Sequence, residues 1–191
     1  MVKTITQRPL DFVYFCFFLM HVPATLLVDL QALYPVSMTP KFIAALPEFY
    51  VKMSQDPLVG GAMGYFGRPE NYVWFKSFLS LELVFQLPVF VLAMRGLLNG
   101  SKKIYLLMLI YAASTTTTTL PCLAVVLATP LTSPETLAAK MISVTYEQRL
   151  LLLSSYVPFF LIPLTMTVDM AFRILRLIQK GIDAEHTVKT R

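Results

Sequence analysis

Apolar positions run almost unbroken through four stretches of this chain, roughly residues 10–33, 74–98, 104–128 and 150–172. Each is about 20 or more residues long, enough for a helix to cross a hydrocarbon layer about 30 Å thick. In lipid, a helix satisfies its own backbone polar groups, which an irregular segment cannot do. The pattern therefore predicts an all-α membrane protein, a four-transmembrane-helix bundle. The long connection is roughly residues 34–73, punctuated by Pro35, Pro40, Pro47, Pro57 and Pro69 and by Gly60, Gly61, Gly64 and Gly67. Within it, PKFIAALPEFYVKM (residues 40–53) has the two-sided character of a short helix lying at the membrane surface. The glycine-rich part reads as an irregular loop, and the polar residues 179–191 read as a mobile tail. The domain reading is thus a short N-terminal segment (1–9), one bundle (10–178) and the tail.

Every span carries proline: Pro23, Pro88, Pro121, and both Pro158 and Pro163. A proline inside a helix deletes a backbone hydrogen bond and bends the rod. Two readings stand: ordinary membrane-helix composition, or four kinked helices that splay around a pocket whose freed carbonyls supply polar lining.

Composition supports the membrane reading. Hydrophobic residues make up 56% of the 191 and charged residues only 14%, against about 25% charged in soluble domains. The mean hydropathy is +0.64. The net charge of +5 is a topology signal. Lys3 and Arg8, then Arg95, Lys102 and Lys103, then Arg173, Arg176 and Lys180 fall on alternate ends of the spans, which places both termini in the cytosol. The basic residues are not interleaved with exposed aromatics, so nucleic acid is excluded as a partner. Cys16 and Cys122 both fall inside spans, which argues against a disulfide framework, a metal site or a metal cofactor. The first apolar run is too long for a cleavable signal and reads as a retained anchor. Asn99-Gly100-Ser101 matches a glycosylation acceptor but faces the cytosol in this topology, so a glycan there would refute the orientation.

Against this background, Asp29, Glu82 and Asp169 are the costly residues, because an ionisable group in a span calls for a cavity, a ligand or a partner. Counting along each helix places Asp29 near the lumenal end of span one and Glu82 about 12 Å into span two. The run Thr115–Thr119 of span three and Tyr156 and Phe159 of span four fall at a similar depth, which suggests one shared site in the lumenal half. If Asp29 and Glu82 meet there, one holds a proton and donates to the other. Gln86 shares a helix face with Glu82, as a ligand contact or a helix tie. Some of the threonines bond back to their own helix, and one or two face the cavity. His21, about 12 Å along the helix from Asp29, reads as a helix–helix hydrogen-bonding group. Asp56 reads as a turn residue or as a cap over the pocket. Asp169 reads as the partner of Arg173, one turn on.

Four segments, HVPATLLVDLQALYP (21–35), QDPL (55–58), WFKSFLSLELVFQLPVF (74–90) and SYVPFFLIP (155–163), resemble the sigma-2 receptor family, part of the EXPERA-domain superfamily that also holds the emopamil-binding sterol isomerases. The likeness covers about residues 10–178. It implies a four-helix endoplasmic reticulum (or nuclear envelope) protein that binds sterols and hydrophobic cationic amines in a lumenal-half cavity, pairs as a homodimer, and serves sterol handling or organelle protein delivery. In that family's pattern Asp29 is the amine-binding aspartate, Glu82 its protonated partner and Asp56 the aspartate that organises the loop. Gln86, Thr118 and Tyr156 line the pocket, and Phe159 replaces a family tyrosine. The leading expectation is a non-enzymatic binding protein. The alternatives are a sterol double-bond isomerase, disfavoured because that branch resembles a five-helix protein with a different histidine and glutamate set, and a scaffold or chaperone.

Overall fold

A computed structural model of the chain describes residues 4–34 and 39–189. Among these, four helical segments are long and apolar enough to cross a membrane: Pro9–Ala32, Pro69–Leu98, Lys102–Ala128 and Tyr146–Lys189. The first comprises α1 (Pro9–Leu27) and a 3-10 turn, Asp29–Ala32. Pro9 opens α1 at a position whose N–H would have no helical partner anyway. The connection to the second span carries α2 (Lys41–Ser54) and α3 (Pro57–Ala62). The second span is α4 (Val73–Leu81), a single π turn at Glu82–Gln86, and α5 (Leu87–Leu98). The third span is α6 (Tyr105–Ala128); a short α7 (Pro134–Ala138) leads to α8 (Tyr146–Lys189), the fourth.

α1, α6 and α8 remain helical through Pro23, Pro121, Pro158 and Pro163. In the second span the ladder is rebuilt instead: the Leu87 N–H reaches back to the Glu82 carbonyl, and Pro88, which has no N–H, follows it. α5 and α6 are joined by a tight turn in which Ser101 N–H bonds Gly96 O and Gly100 N–H bonds Leu97 O. Gly100 takes the left-handed conformation this ending needs, at φ +62°.

One expectation is corrected. The glycine-rich part is not wholly irregular: Gly60 and Gly61 lie inside α3, fully buried. A Cβ on Gly60 would fall 2.2 Å from the Phe66 ring and one on Gly61 2.0 Å from the Tyr72 ring. These glycines permit close packing rather than a turn, a role that composition alone does not separate from loop-forming. The polar segment expected as a tail is helical, since α8 continues to Lys189 with Gln179–Asp183 and Glu185–Lys189 contacts one turn apart. Its 44 residues extend about 66 Å at about 1.5 Å each, roughly twice the hydrocarbon thickness.

The bundle pairs α6 with α8 and α1 with α5, and its buried apolar residues form two larger cores and a small third cluster of Val126, Val144 and Leu152. One joins Tyr14, Phe17 and Phe18 of α1, Phe90, Ala93 and Leu97 of α5, Met108 and Tyr111 of α6, and Met166 and Met170 of α8. The other joins Leu30, Leu58, Ala62, Phe75, Leu79 and Cys122, and so seats α3 on the bundle.

Beyond the first core, the end of the bundle away from α2 and α3 is tied by charge. Asp169 pairs with Arg173 at 2.8 Å, within a larger network. Arg173 also donates to Asp11 at 2.6 Å, Arg8 donates to Asp11 at 2.5 Å, and Tyr14 donates to Asp169 at 3.1 Å. Arg173 lies over the Tyr105 ring, and Arg8 also reaches Leu97 O. Asp11, 3% exposed, is the centre that joins α1 to α8. Asp11→Asn is expected to cost about 2 kcal/mol, because both arginines keep other partners. A thermal unfolding midpoint unchanged from wild type would show that the pair contributes nothing.

Candidate ligand cavity

Between the two larger cores the four spans part and line a cavity of about 230 Å³ that is open on one side. α1 contributes His21 and Ala24, and the turn after it Asp29. α4 and the π turn contribute Phe75, Phe78, Leu79, Glu82 and Gln86. α6 contributes Thr115, Thr118, Thr119 and Cys122, and α8 contributes Ser155, Tyr156 and Phe159. Thus Asp29, Glu82, Gln86, Thr118, Tyr156 and Phe159 lie on one wall system, and His21 lies there with them. Asp56 does not line the space.

Asp29 follows the break at Val28, whose φ of −124° and ψ of −66° end α1. Among the described residues its carboxylate accepts no hydrogen bond, and it lines the cavity. A carboxylate without a donor in an apolar enclosure is a standing cost that a cationic or hydroxylic ligand removes.

Glu82 is held differently. Its Oε1 accepts from the Thr25 hydroxyl at 2.5 Å and lies 3.5 Å from His21 Nε2. The expected carboxyl–carboxyl hydrogen bond between Asp29 and Glu82 is not formed: they share the cavity, but Thr25 and His21, one helical turn apart on α1, occupy Glu82 instead. His21 is therefore part of the wall rather than only a helix tie. Its ring stacks on Phe90 at 4.6 Å and meets the edge of Phe159 at 4.5 Å, while its buried Nδ1 has no hydrogen-bond partner among the described residues. Phe159, with no hydroxyl to place, supplies an apolar face at that spot.

The threonine run divides by face. Thr116 and Thr117 donate back to Ala112 O and Ala113 O, as helix threonines do. Thr115 donates to Gln86 Oε1 at 3.1 Å, tying α6 to the second span and fixing the Gln86 amide in the wall. Thr118 also bonds back, to Ser114 O and Thr115 O, while lining the cavity.

Asp56 acts one layer out. Its Oδ1 accepts from Leu58 N–H and Val59 N–H, capping α3. Its Oδ2 accepts from the Tyr50 hydroxyl at 2.8 Å and the Tyr156 hydroxyl at 2.9 Å. Burial pushes its carboxyl above the usual carboxylate range, and the four donors pull the other way. The Tyr50 hydroxyl is pushed up by burial and then by the neighbouring Asp56, which keeps it a donor. Asp56 thereby fastens two cavity-lining tyrosines, Tyr50 on α2 and Tyr156 on α8, to the start of α3.

Three contributors escape sequence reasoning. Thr25 carried a usable signal, four residues from His21 and hence on its face. Asp11 carried the same signal as Asp29, a carboxylate in an apolar run. Tyr50 carried none, because nothing in the connection shows how it folds back. Among the described residues no three His, Cys, Asp or Glu side chains are placed to hold a metal.

A family model described as EXPERA (EXPanded EBP superfamily) matches residues 42–170. The sigma intracellular receptor 2 of Homo sapiens is 36% identical over 166 residues, covering 86% of this chain and 89% of that protein. The sigma intracellular receptor 2 of Xenopus tropicalis is 31% identical over 169 residues, 88% and 91% of the two chains. The efficient mitochondria targeting-associated protein 19 of Schizosaccharomyces pombe is 25% identical over 173 residues, 90% and 80% of the two chains.

Proposed function

We propose, because this chain belongs to the sigma-2 receptor family of the EXPERA superfamily, that it is a receptor-like membrane protein whose cavity takes a sterol or a hydrophobic cationic amine. The observation that carries this is the lining: among the described residues it has two carboxyl side chains, Asp29 and Glu82, and no lysine or arginine, on walls that are largely aromatic and aliphatic. Such a lining favours an apolar body with one cationic or hydroxyl head. Asp29 meets the head. Glu82, oriented by Thr25 and His21, and the Gln86 amide set the polar side of the space. Tyr156, Phe159 and Phe75 pack the body, and aromatic faces add about 0.5–2 kcal/mol toward a cation. The setting proposed is the endoplasmic reticulum membrane with both termini cytosolic, as a homodimer, in sterol handling or trafficking.

The test is identification of the lipids that copurify with the protein, repeated for Asp29→Asn and Glu82→Gln. A sterol or lipid amine enriched on the wild type and depleted on both variants is expected. The same lipid profile on all three proteins would reject the site.

A sterol double-bond isomerase is the competing reading, favoured by the His21–Glu82 approach of 3.5 Å. Such a reaction protonates one alkene carbon and removes a proton from a neighbouring carbon, which Asp29 and Glu82 could serve, but the relatives at 31% and 36% identity are receptors. Expression of this protein is expected not to rescue a cell that lacks its sterol isomerase; rescue would overturn the non-enzymatic reading. A scaffold in organelle protein delivery is the third, and its support is the likeness to the S. pombe mitochondria targeting-associated protein. It is separated by asking whether Asp29→Asn abolishes amine binding yet leaves the cellular role intact.

A further inference from the structure

α2 presents three different faces, and each fits a different medium. At about 100° per residue, Phe42, Leu46, Phe49 and Met53 fall within a sector of about 60°. These four are exposed, Phe42 by 74% and Phe49 by 68%. Roughly 115° to one side lies the face made by Pro47, Tyr50, Val51 and Ser54, which packs onto the bundle and brings Tyr50 to the cavity. Roughly 105° to the other side lie Lys41, Glu48 and Lys52, with Glu48 and Lys52 paired at 2.7 Å.

Both ends of α2 are fastened to the ends of spans. Gln31, at the end of the first span, donates to Ile43 O at 2.8 Å. Gln148, at the start of the fourth, donates to Met53 O at 3.3 Å. The helix therefore lies along the membrane surface, at the level where the first span ends and the fourth begins. At that level the side turned to the bilayer meets acyl chains, an adjoining side meets protein, and the outer side meets headgroups and water. The three faces match these surroundings in order.

We propose that α2 is docked into the bilayer by the Phe42–Leu46–Phe49–Met53 stripe, with lipid acyl chains as its partner, so that lipid holds in place the helix that supplies the Tyr50 wall of the cavity. The polar face, rather than the apolar stripe, is turned to water. The inference does not depend on what the cavity binds.

Trp74 is the chain's only tryptophan, which permits a direct test. In a Trp74→Phe background, single tryptophans are placed by Phe42→Trp, Phe49→Trp and Lys52→Trp, and each full-length protein is reconstituted in vesicles of phosphatidylcholine brominated on the acyl chain. Bromolipid quenching at the Phe42 and Phe49 positions is expected to exceed that at the Lys52 position by at least about twofold, as for a helix face sunk about 5–10 Å below the headgroups. Aqueous acrylamide is expected to reverse the order. Stripe tryptophans quenched by acrylamide but not by bromolipid would show a helix in water and overturn the proposal. Stripe tryptophans quenched by neither would show a face covered by a second copy or another protein, which overturns it equally.

Discussion

Asp29→Asn is expected to lower the affinity for a hydrophobic amine by about 10- to 150-fold, the roughly 1.5–3 kcal/mol that a charge-assisted hydrogen bond contributes. The same change is expected to leave the protein folded. Among the described residues the carboxylate has no hydrogen-bond partner to lose, and its amide replacement is nearly isosteric. Glu82→Gln is expected to behave differently. Gln keeps an acceptor for the Thr25 hydroxyl but loses the negative charge beside His21, so its effect on amine affinity is expected to be smaller than that of Asp29→Asn. Saturation binding of a labelled amine to purified, monodisperse variants measures both. Equal affinity for wild type and Asp29→Asn would remove this aspartate from the site.

Asp56→Ala is expected to be the most destabilising single change near the cavity, by about 3 kcal/mol. It removes the α3 cap, typically about 1 kcal/mol, and leaves the Tyr50 and Tyr156 hydroxyls without their acceptor, each costing about 1 kcal/mol or more. Amine binding is expected to fall as well, since both tyrosines line the cavity, although Asp56 does not touch it. Asp56→Asn keeps one carbonyl acceptor and is expected to lose roughly half as much stability, about 1–2 kcal/mol. Thermal unfolding in detergent, followed by the fraction that stays monodisperse, separates the two. An Ala variant that melts with the wild type would mean that α3 and the tyrosines are held by packing alone.

The four spans were legible because lipid imposes a requirement that short windows of sequence display directly: long apolar runs with few charges. The cavity was legible for a related reason. A carboxylate or a glutamine inside such a run is too costly to be incidental, and the fixed rise of a helix converts residue counts into depth. Residue counts alone set Asp29, Glu82, the Thr115–Thr119 run, Tyr156 and Phe159 at a similar depth, whereas the choice of Thr118 within that run came from the family resemblance. Depth does not, however, say which polar groups pair. Glu82 turned to Thr25 and His21 rather than to Asp29, a choice set by helix rotation and by the π turn before Pro88. The connection was least legible. Whether Gly60 and Gly61 open a loop or let Phe66 and Tyr72 pack onto a helix depends on residues elsewhere in the chain, as does the return of Tyr50 to the cavity. Asp11 was overlooked although it posed the same question as Asp29, and its answer is an ion-pair network instead of a cavity.

The central claim is that a ligand's cationic or hydroxyl head sits against Asp29 in the space between the two cores. An experimental structure of the protein with a bound hydrophobic amine tests it most directly. Ligand density is expected among all four spans, with the amine nitrogen within about 3 Å of an Asp29 oxygen. Density elsewhere on the protein, or a ligand in the cavity with its nitrogen turned away from Asp29, would contradict it.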